Sequence, residues 1–145
     1  MATATPAGYS GKPLPVKLGF KPGMAAAFVA LPPECEALAD WADFASVERI
    51  DDWRAGLGRR RYDLIHAFTT RRADILGGLP RLQAAIRPNG MIWVSWPKKA
   101  SKVPSDVTED VVRAEALKGD LVDVKVAAVD AVWSALKLVI RKDRR

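Results

Sequence analysis

Cysteine and histidine are almost absent from this chain. Cys35 and His66 are the only residues of their kinds among 145. One cysteine cannot form an internal disulfide, and a single histidine without neighbouring ligands gives no metal-site spacing, so we expect neither a disulfide nor a metal. His66 lies in an apolar run, which favours a hydrogen-bonded core imidazole. Cys35 stands between Glu34 and Glu36, whose charges raise a thiol pKa, so we assign no catalytic residue.

Long apolar runs are also missing. No stretch approaches the roughly 18 residues of a membrane span, and residues 1 to 23 lack the continuous apolar core of a signal peptide. We therefore expect a soluble, cytoplasmic protein with no membrane partner. Glycine and proline, ten of each, follow no period, and the 49% hydrophobic content excludes collagen, coiled coil and wholesale disorder. The length suits one domain, for which we predict residues 16 to 145 after a flexible arm over residues 1 to 15.

The net charge of +6 is concentrated in the middle of the sequence. Residues 1 to 60 hold seven basic and seven acidic side chains, and residues 103 to 145 hold eight of each. Residues 61 to 102 hold eight basic side chains against Asp63 and Asp74. Such an excess is either a solvated face or a site for an anion, and the positions of the strands decide between them.

Apolar runs bounded by turn residues predict buried strands at residues 24 to 30, 62 to 69 and 91 to 96. Between them, apolar spacing predicts a helix over residues 33 to 42 and another that follows Thr70. The pairing of Asp106 with Glu109 as a capping box predicts a third helix over residues 106 to 118. Residues 43 to 61 stay ambiguous, with a short edge strand possible at 46 to 50.

The last two runs predict a hairpin. Residues 122 to 126 alternate valine with charged residues, which is the pattern of an edge strand with one solvent-exposed face. Only a short link separates them from the apolar run 133 to 140, and so short a link permits antiparallel pairing alone. The whole order predicts an α/β fold: a three-layer, Rossmann-like open sheet, mostly parallel, with a C-terminal antiparallel hairpin.

This order of elements resembles the S-adenosylmethionine-dependent methyltransferases. Residues 21 to 30 are similar to the strand that bears their first motif, residues 60 to 68 resemble their central strand, and residues 79 to 95 resemble their helix, Pro-Gly-Gly turn and strand. The resemblance implies S-adenosylmethionine as cofactor. One feature departs from it: residues 31 to 35, Leu-Pro-Pro-Glu-Cys, replace the glycine-rich turn that lets the cofactor approach the backbone.

The chain also resembles, over nearly its whole length, a family of small bacterial proteins catalogued as a domain of unknown function. The likeness is carried by GYSG at residues 8 to 11, KLGFKPG at 17 to 23, WPKKAS at 96 to 101, TEDVVR at 108 to 113 and the stretch 122 to 139. The family is related in fold to the methyltransferases.

The candidate site follows from where ligands bind in open α/β sheets, outside the carboxyl ends of the strands. Two polar segments stand at such ends, and if their strands are neighbours the segments meet. We predict ligand contacts from Thr69, Thr70, Arg71, Arg72, Trp96, Lys98, Lys99, Ser101 and Lys102. The basic groups and the helix amino end suit a phosphate or carboxylate. Trp96 packs in the core or stacks on a base or sugar, and Asp51 or Asp52 stands at a suitable distance for ribose hydroxyls.

Three functions remain open. The first is a methyltransferase-like domain without catalysis that binds a small anionic or nucleotide-like ligand at the carboxyl edge. The second is an active methyltransferase, so whether the chain is an enzyme stays open. The third is a module that docks its basic edge on an acidic protein or a nucleic acid, without sequence specificity, because no aromatic residues interleave with the basic ones.

Overall fold

Six strands form one sheet in the computed structural model, which describes residues 13–145. The strands are β1 Ala25–Val29, β2 Ser46–Ile50, β3 Tyr62–Phe68, β4 Ile86–Pro97, β5 Leu121–Ala128 and β6 Trp133–Ile140. Their order is β2-β1-β3-β4-β6-β5, with parallel pairing from β2 to β4 and antiparallel pairing of β4 with β6 and of β6 with β5. The predicted fold class is confirmed, including both edge strands and the terminal hairpin.

Helices cover both faces of the sheet. The α-helices are α1 Leu14–Lys17, α2 Arg72–Ala85 and α3 Glu109–Lys118, and 3₁₀ helices span Pro33–Asp40, Lys99–Ser101 and Lys142–Arg144. The larger core contains buried side chains of α2 and α3, and the smaller contains those of the first 3₁₀ helix and Leu18. Within residues 13–145, no helix is both long enough and apolar enough to cross a membrane. Residues 1 to 12, which include most of the predicted arm and the motif at residues 8 to 11, lie outside the described residues. The last two residues of the predicted arm, Leu14 and Pro15, belong to α1.

The middle strands are buried on both faces, as their unbroken apolar sequence predicts. In β3, Ile65 packs in the larger core and Leu64 in the smaller one. In β4, Trp96 and Trp93 divide in the same way, which confirms that the two indoles lie on opposite faces. The fully buried Trp93 also donates its indole N–H to the carbonyl of Leu18 at 2.8 Å, so α1 is held against the sheet.

The helix starts differ from the sequence prediction. Thr70 does not cap α2, whose N-cap is Arg71; the amide of Arg72 instead donates to the Asp106 carboxylate at 2.6 Å. Because Asp106 serves α2, α3 begins later and is capped by Thr108, whose hydroxyl accepts from the amide of Val111 at 3.2 Å. The buried residues of α3 are Val112 and Ala116, whereas the apolar spacing predicts Val111, Ala114 and Leu117.

The turn that the sequence predicts at residues 88 to 90 lies inside β4, which begins at Ile86. Tyr62 pairs with Ile86 and Leu64 with Met91, so two steps along β3 match five along β4. The Asn89-Gly90 segment is therefore a bulge within the strand. A Cβ on Gly90 would lie 3.0 Å from the Arg87 carbonyl, which explains the glycine there.

Helix α2 runs without a break through Gly77, Gly78 and Pro80, which the sequence predicts to kink or split it. The two glycines lie in different surroundings. A Cβ on Gly78 would lie 2.7 Å from Cε3 of Trp53, whereas nothing lies within 4 Å of a Cβ on Gly77. Gly78 is therefore the contact through which α2 approaches the segment after β2.

Replacing these glycines tests that contact. We expect Gly78→Ala to lower the free energy of unfolding by about 1–3 kcal/mol, because the buried Trp53 ring must shift. Gly77→Ala, the matched control, should raise it by up to about 1 kcal/mol through helix propensity. Urea unfolding of both variants measures the difference. Equal effects of the same sign would show that Gly78 carries no packing constraint.

His66 is fully buried, and only half of its hydrogen-bonding capacity is used. Its Nε2 lies 2.7 Å from the Ser95 hydroxyl, its Nδ1 has no partner among the described residues, and the ring stacks on Phe68. The expected satisfied imidazole is thus only partly confirmed. Burial lowers the pKa of His66 from 6.5 to about 3, so the folded protein holds it neutral.

The pH dependence of stability tests this burial. Between pH 6.5 and about 3 the unfolded chain binds a proton at His66 that the folded chain does not, so stability should fall as the pH falls through that window. One such proton contributes about 1.4 kcal/mol per pH unit. His66→Gln should remove this contribution and leave that of the carboxylates. Identical pH profiles for both proteins would contradict a neutral buried histidine.

Candidate functional site

A cavity of about 550 Å³ opens at the carboxyl ends of the first three strands. It is lined by residues 30 to 33 after β1, 51 to 53 after β2 and 68 to 71 at the end of β3, together with Asp74 and Trp133. Strand β2 pairs on one side of β1 and β3 on the other, so the chain crosses over β1 between them and the strand order reverses there. This is the switch point where open α/β sheets bind ligands, and its volume is in the range of small-molecule sites.

The turn after β1 forms one wall and offers few backbone donors. Ala30 adopts a left-handed φ of 54°, and Pro32 and Pro33 have no amide hydrogen. The Ala30 amide donates to Ile50 at 2.7 Å and the Cys35 amide to Pro32 at 2.9 Å. This rigid turn therefore lacks the row of free amides that a glycine-rich turn presents to a ligand.

The segment after β2 brings two carboxylates to the cavity. The side chain of Asp52 accepts from the Arg54 amide at 2.8 Å and pairs with its guanidinium at 2.7 Å. Those hydrogen bonds lower the pKa of Asp52 to about 2. Asp51 is exposed and has no ion-pair partner within residues 13–145. Asp52 is therefore ionised at neutral pH, and the oxygens of both side chains can accept hydrogen bonds from ligand hydroxyls.

A third carboxylate belongs to a small network at the end of β3. The Thr69 hydroxyl donates to Asp74 at 2.6 Å and accepts from the Arg71 amide at 3.0 Å, while the Arg71 guanidinium lies 3.2 Å from Asp74. The lining therefore holds three carboxylates, counting Asp51 and Asp52, against one guanidinium. Arg54, outside the lining, neutralises Asp52, so one net negative charge remains at the cavity, where the sequence predicts a basic edge.

Aromatic residues form the apolar part of the lining. The rings of Phe68 and Trp133 meet edge to face at 5.3 Å between centroids, and the Trp133 indole donates to Glu34 at 3.1 Å. Trp53 donates its indole N–H to the Phe68 carbonyl at 2.7 Å. These bonds fix both indoles, so an apolar surface stands beside the carboxylates.

Three of the nine predicted ligand contacts, Thr69, Thr70 and Arg71, line the cavity. Arg72 follows them on α2, and its amide is already occupied by Asp106. The amino end of α2 thus holds a carboxylate of the chain itself, where the sequence predicts a bound anion. Trp96 is 7% exposed and packs in the larger core.

The segment after β4 lies on the same edge but outside the cavity lining. Lys98 donates through Nζ to the Asp130 carbonyl at 2.7 Å, and Ser101 donates its hydroxyl to the Lys98 carbonyl at 2.6 Å. Lys99 and Lys102 are exposed, and Lys102 has a left-handed φ of 62°. Strands β3 and β4 are neighbours, as the predicted convergence requires, but residues 98 to 102 are not among those that line the cavity.

Cys35 is close to the site and chemically inert. Its sulfur lies 3.6 Å from the Asp130 carboxylate in a buried position. Burial first, then the charge of Asp130 and that of Glu34, raise the pKa of Cys35 to about 12. A neutral thiol is a poor nucleophile.

Sequence reasoning missed Trp53, Leu31 and Trp133 as lining residues. Trp53 lies in the ambiguous segment, and no local pattern indicates that its indole bonds to β3. Asp51 and Asp52, considered for ribose hydroxyls, do stand at the cavity.

Several solved structures of similar fold are described as methyltransferases. A SAM-dependent methyltransferase from Aquifex aeolicus matches with a TM-score of 0.66 and 15% identity over 88% of each chain. A putative type 11 methyltransferase from Sulfolobus solfataricus matches at 0.64 and 12% identity, over 89% of this chain and 90% of that one. At such identities the likeness shows the fold, which is methyltransferase-like. No family model and no curated protein matches, so membership of the small bacterial family stays a prediction.

Proposed function

We propose that this protein is a methyltransferase-like domain that binds a small nucleoside-type ligand in the cavity at the carboxyl edge of its sheet. The observation that carries the proposal is the lining itself: carboxylates from the end of β2 stand beside fixed aromatic rings. A nucleoside offers both complements, since its ribose hydroxyls donate to carboxylates and its base packs against apolar surface.

The charge of the lining supports a nucleoside over an anionic ligand. A phosphate entering the cavity would meet Asp51, Asp52 and Asp74, and Arg71 is the single basic side chain in the lining. Arg71 is itself engaged by Asp74. Burying like charges together is costly. A neutral or cationic nucleoside is therefore favoured over a nucleotide with free phosphates.

S-adenosyl compounds fit this description in part. S-adenosylmethionine would supply a sulfonium-activated methyl group, and its positive charge suits an acidic lining. Asp51 and Asp52 would hold the ribose, and Arg71 would face the amino-acid carboxylate. The turn after β1 offers that carboxylate only the amides of Leu31 and Glu34, because the others are bonded or belong to proline.

Methyl transfer is the second candidate function, and one observation favours it: the acidic pair follows β2 beside a cavity at the switch point of a methyltransferase-like sheet. An acceptor substrate would need a base. With Asp51 and Asp52 on the ribose and Asp74 paired with Arg71, the lining leaves no carboxylate for that role, so this function requires an acceptor whose attacking atom is already unprotonated. Release of S-adenosylhomocysteine from S-adenosylmethionine, in the presence of small-molecule and protein acceptors, distinguishes transfer from binding alone.

Calorimetry tests the proposed ligand class. We expect adenosine, S-adenosylhomocysteine and S-adenosylmethionine to bind, and AMP and ATP to bind at least about tenfold more weakly, because the lining repels phosphate. Asp51→Asn should weaken S-adenosylhomocysteine binding about tenfold or more, since hydrogen bonds to a charged group contribute about 1.5–3 kcal/mol.

Asp40→Asn is the matched control, because Asp40 is an exposed aspartate that does not line the cavity. It should leave every affinity unchanged. Tighter binding of ATP than of adenosine would overturn the nucleoside proposal in favour of an anion site. Absence of binding by all five compounds at millimolar concentration would also contradict the nucleoside proposal.

A further inference from the structure

The positive charge of the folded protein lies at the amino edge of the sheet, opposite the cavity. We call this surface the basic edge. Its basic side chains are Arg59, Arg60, Arg61, Arg87, Lys118, Arg141, Lys142, Arg144 and Arg145. The acidic side chains among them are Glu48, Asp63, Glu115, Asp120 and Asp143. Nine basic groups against five acidic ones leave four of the six net charges of the chain on this edge.

Hydrogen bonds join two basic runs that are eighty residues apart in the sequence. The amide of Arg60 donates to Ala84 at the end of α2 at 2.9 Å. One residue earlier in α2, the Gln83 side chain donates to Asp120 at 3.2 Å. Asp120 in turn pairs with Arg144 at 3.3 Å and Arg141 at 3.6 Å. The end of α2 therefore places residues 59 to 61 and 141 to 145 on one continuous surface.

Several of these cations lack a neutralising partner. Arg59, Arg60 and Lys142 are exposed and form no ion pair within residues 13–145, whereas Arg141 pairs with Asp143 at 3.7 Å and shares the carboxylate of Asp120 with Arg144. Cations held together without counter-charges repel one another, and an anionic partner relieves that repulsion.

The chemistry of the edge favours phosphate groups. Seven of its nine basic residues are arginines, whose planar guanidinium binds phosphate oxygens in pairs. Leu117, next to Lys118, is the one large apolar side chain exposed beside these basic residues, and an interfacial membrane site requires a whole apolar face.

The dimensions agree with a duplex. From β3 across β4 and β6 to β5 the edge covers three strand spacings, about 14 Å at roughly 4.8 Å each. Duplex DNA carries one phosphate charge per about 1.7 Å of its axis, so several phosphates face such a surface at once. We propose that the basic edge binds the phosphate backbone of duplex DNA without sequence specificity. This surface is separate from the cavity and independent of the function proposed there.

The competing explanation is structural. Helices α2 and α3 both end at this edge, and basic residues stabilise the partial negative charge of helix carboxyl ends. That role accounts for Lys118 and for the position of Arg60. It predicts a loss of stability when the charges are removed and no effect on DNA binding.

Two charge-matched variants test the proposal. Arg59→Gln/Arg60→Gln/Lys142→Gln removes three unpaired charges from the basic edge, and Arg72→Gln/Lys99→Gln/Lys102→Gln removes three exposed charges from the carboxyl edge. Fluorescence anisotropy with a labelled 20-base-pair DNA duplex of two unrelated sequences, at about 50 and 200 mM salt, measures affinity and its salt dependence. Thermal unfolding of all three proteins checks the fold.

We expect wild type to bind both sequences equally, with affinity falling steeply with salt. The amino-edge variant should lose at least about tenfold in affinity at low salt, and its log-log salt slope should become shallower by about three, one for each phosphate contact. The carboxyl-edge variant should change affinity less than about twofold. Equal losses in both variants, no binding by wild type, or tighter binding of an RNA duplex or of phosphatidylserine vesicles would overturn the proposal.

Discussion

The candidate site depends on the position of one indole. Trp53 donates its N–H to the carbonyl of Phe68, and Arg81 of α2 donates to the Trp53 carbonyl at 2.9 Å. The ring lies against Gly78, where any side chain would collide with it. These three contacts fix the chain that leaves β2 against β3 and α2. The carboxylates of Asp51 and Asp52 are consequently held at the mouth of the cavity.

A second constraint is the stiff turn after β1. Two consecutive prolines and a left-handed Ala30 replace a flexible glycine turn, and the indole of Trp133 is held beside this turn by its bond to Glu34. The cavity is therefore preformed, with few backbone donors and fixed aromatic walls. Such a lining selects ligands through side-chain carboxylates and apolar contact, which is why a nucleoside suits it better than a phosphate.

The amino and carboxyl edges of the sheet differ in charge, although residues 1 to 60 and residues 103 to 145 each have no net charge. The basic excess of residues 61 to 102 is divided by folding: Arg61 and Arg87 go to the amino edge, and Arg71 and Lys99 go to the carboxyl edge. The carboxyl edge also receives Asp51 and Asp52 from the neutral first part of the chain. Charge counted along the sequence therefore misplaces the electrostatic surfaces.

The fold was predictable because its information is local. Apolar runs and turn residues identify β1, β3 and β6 without knowledge of their neighbours. The helix caps were not, because Asp106 serves a helix that begins 34 residues earlier, and the bulge at Gly90 appears only once β3 pairs with β4. The site was half predictable: Thr69 and Arg71 follow from a strand end, whereas the role of Trp53 depends on three contacts distant in sequence.

The central claim is that the cavity between β1, β2 and β3 binds a nucleoside, and amide NMR during titration with S-adenosylhomocysteine tests it most directly. The account predicts shifts at the amides of Leu31, Asp52 and Thr70 and at the indole N–H of Trp53, all at one affinity. The resonances of Lys99 and Lys102 should stay in place. Shifts confined to residues 98 to 102, or a spectrum that does not change at millimolar ligand, would contradict the account.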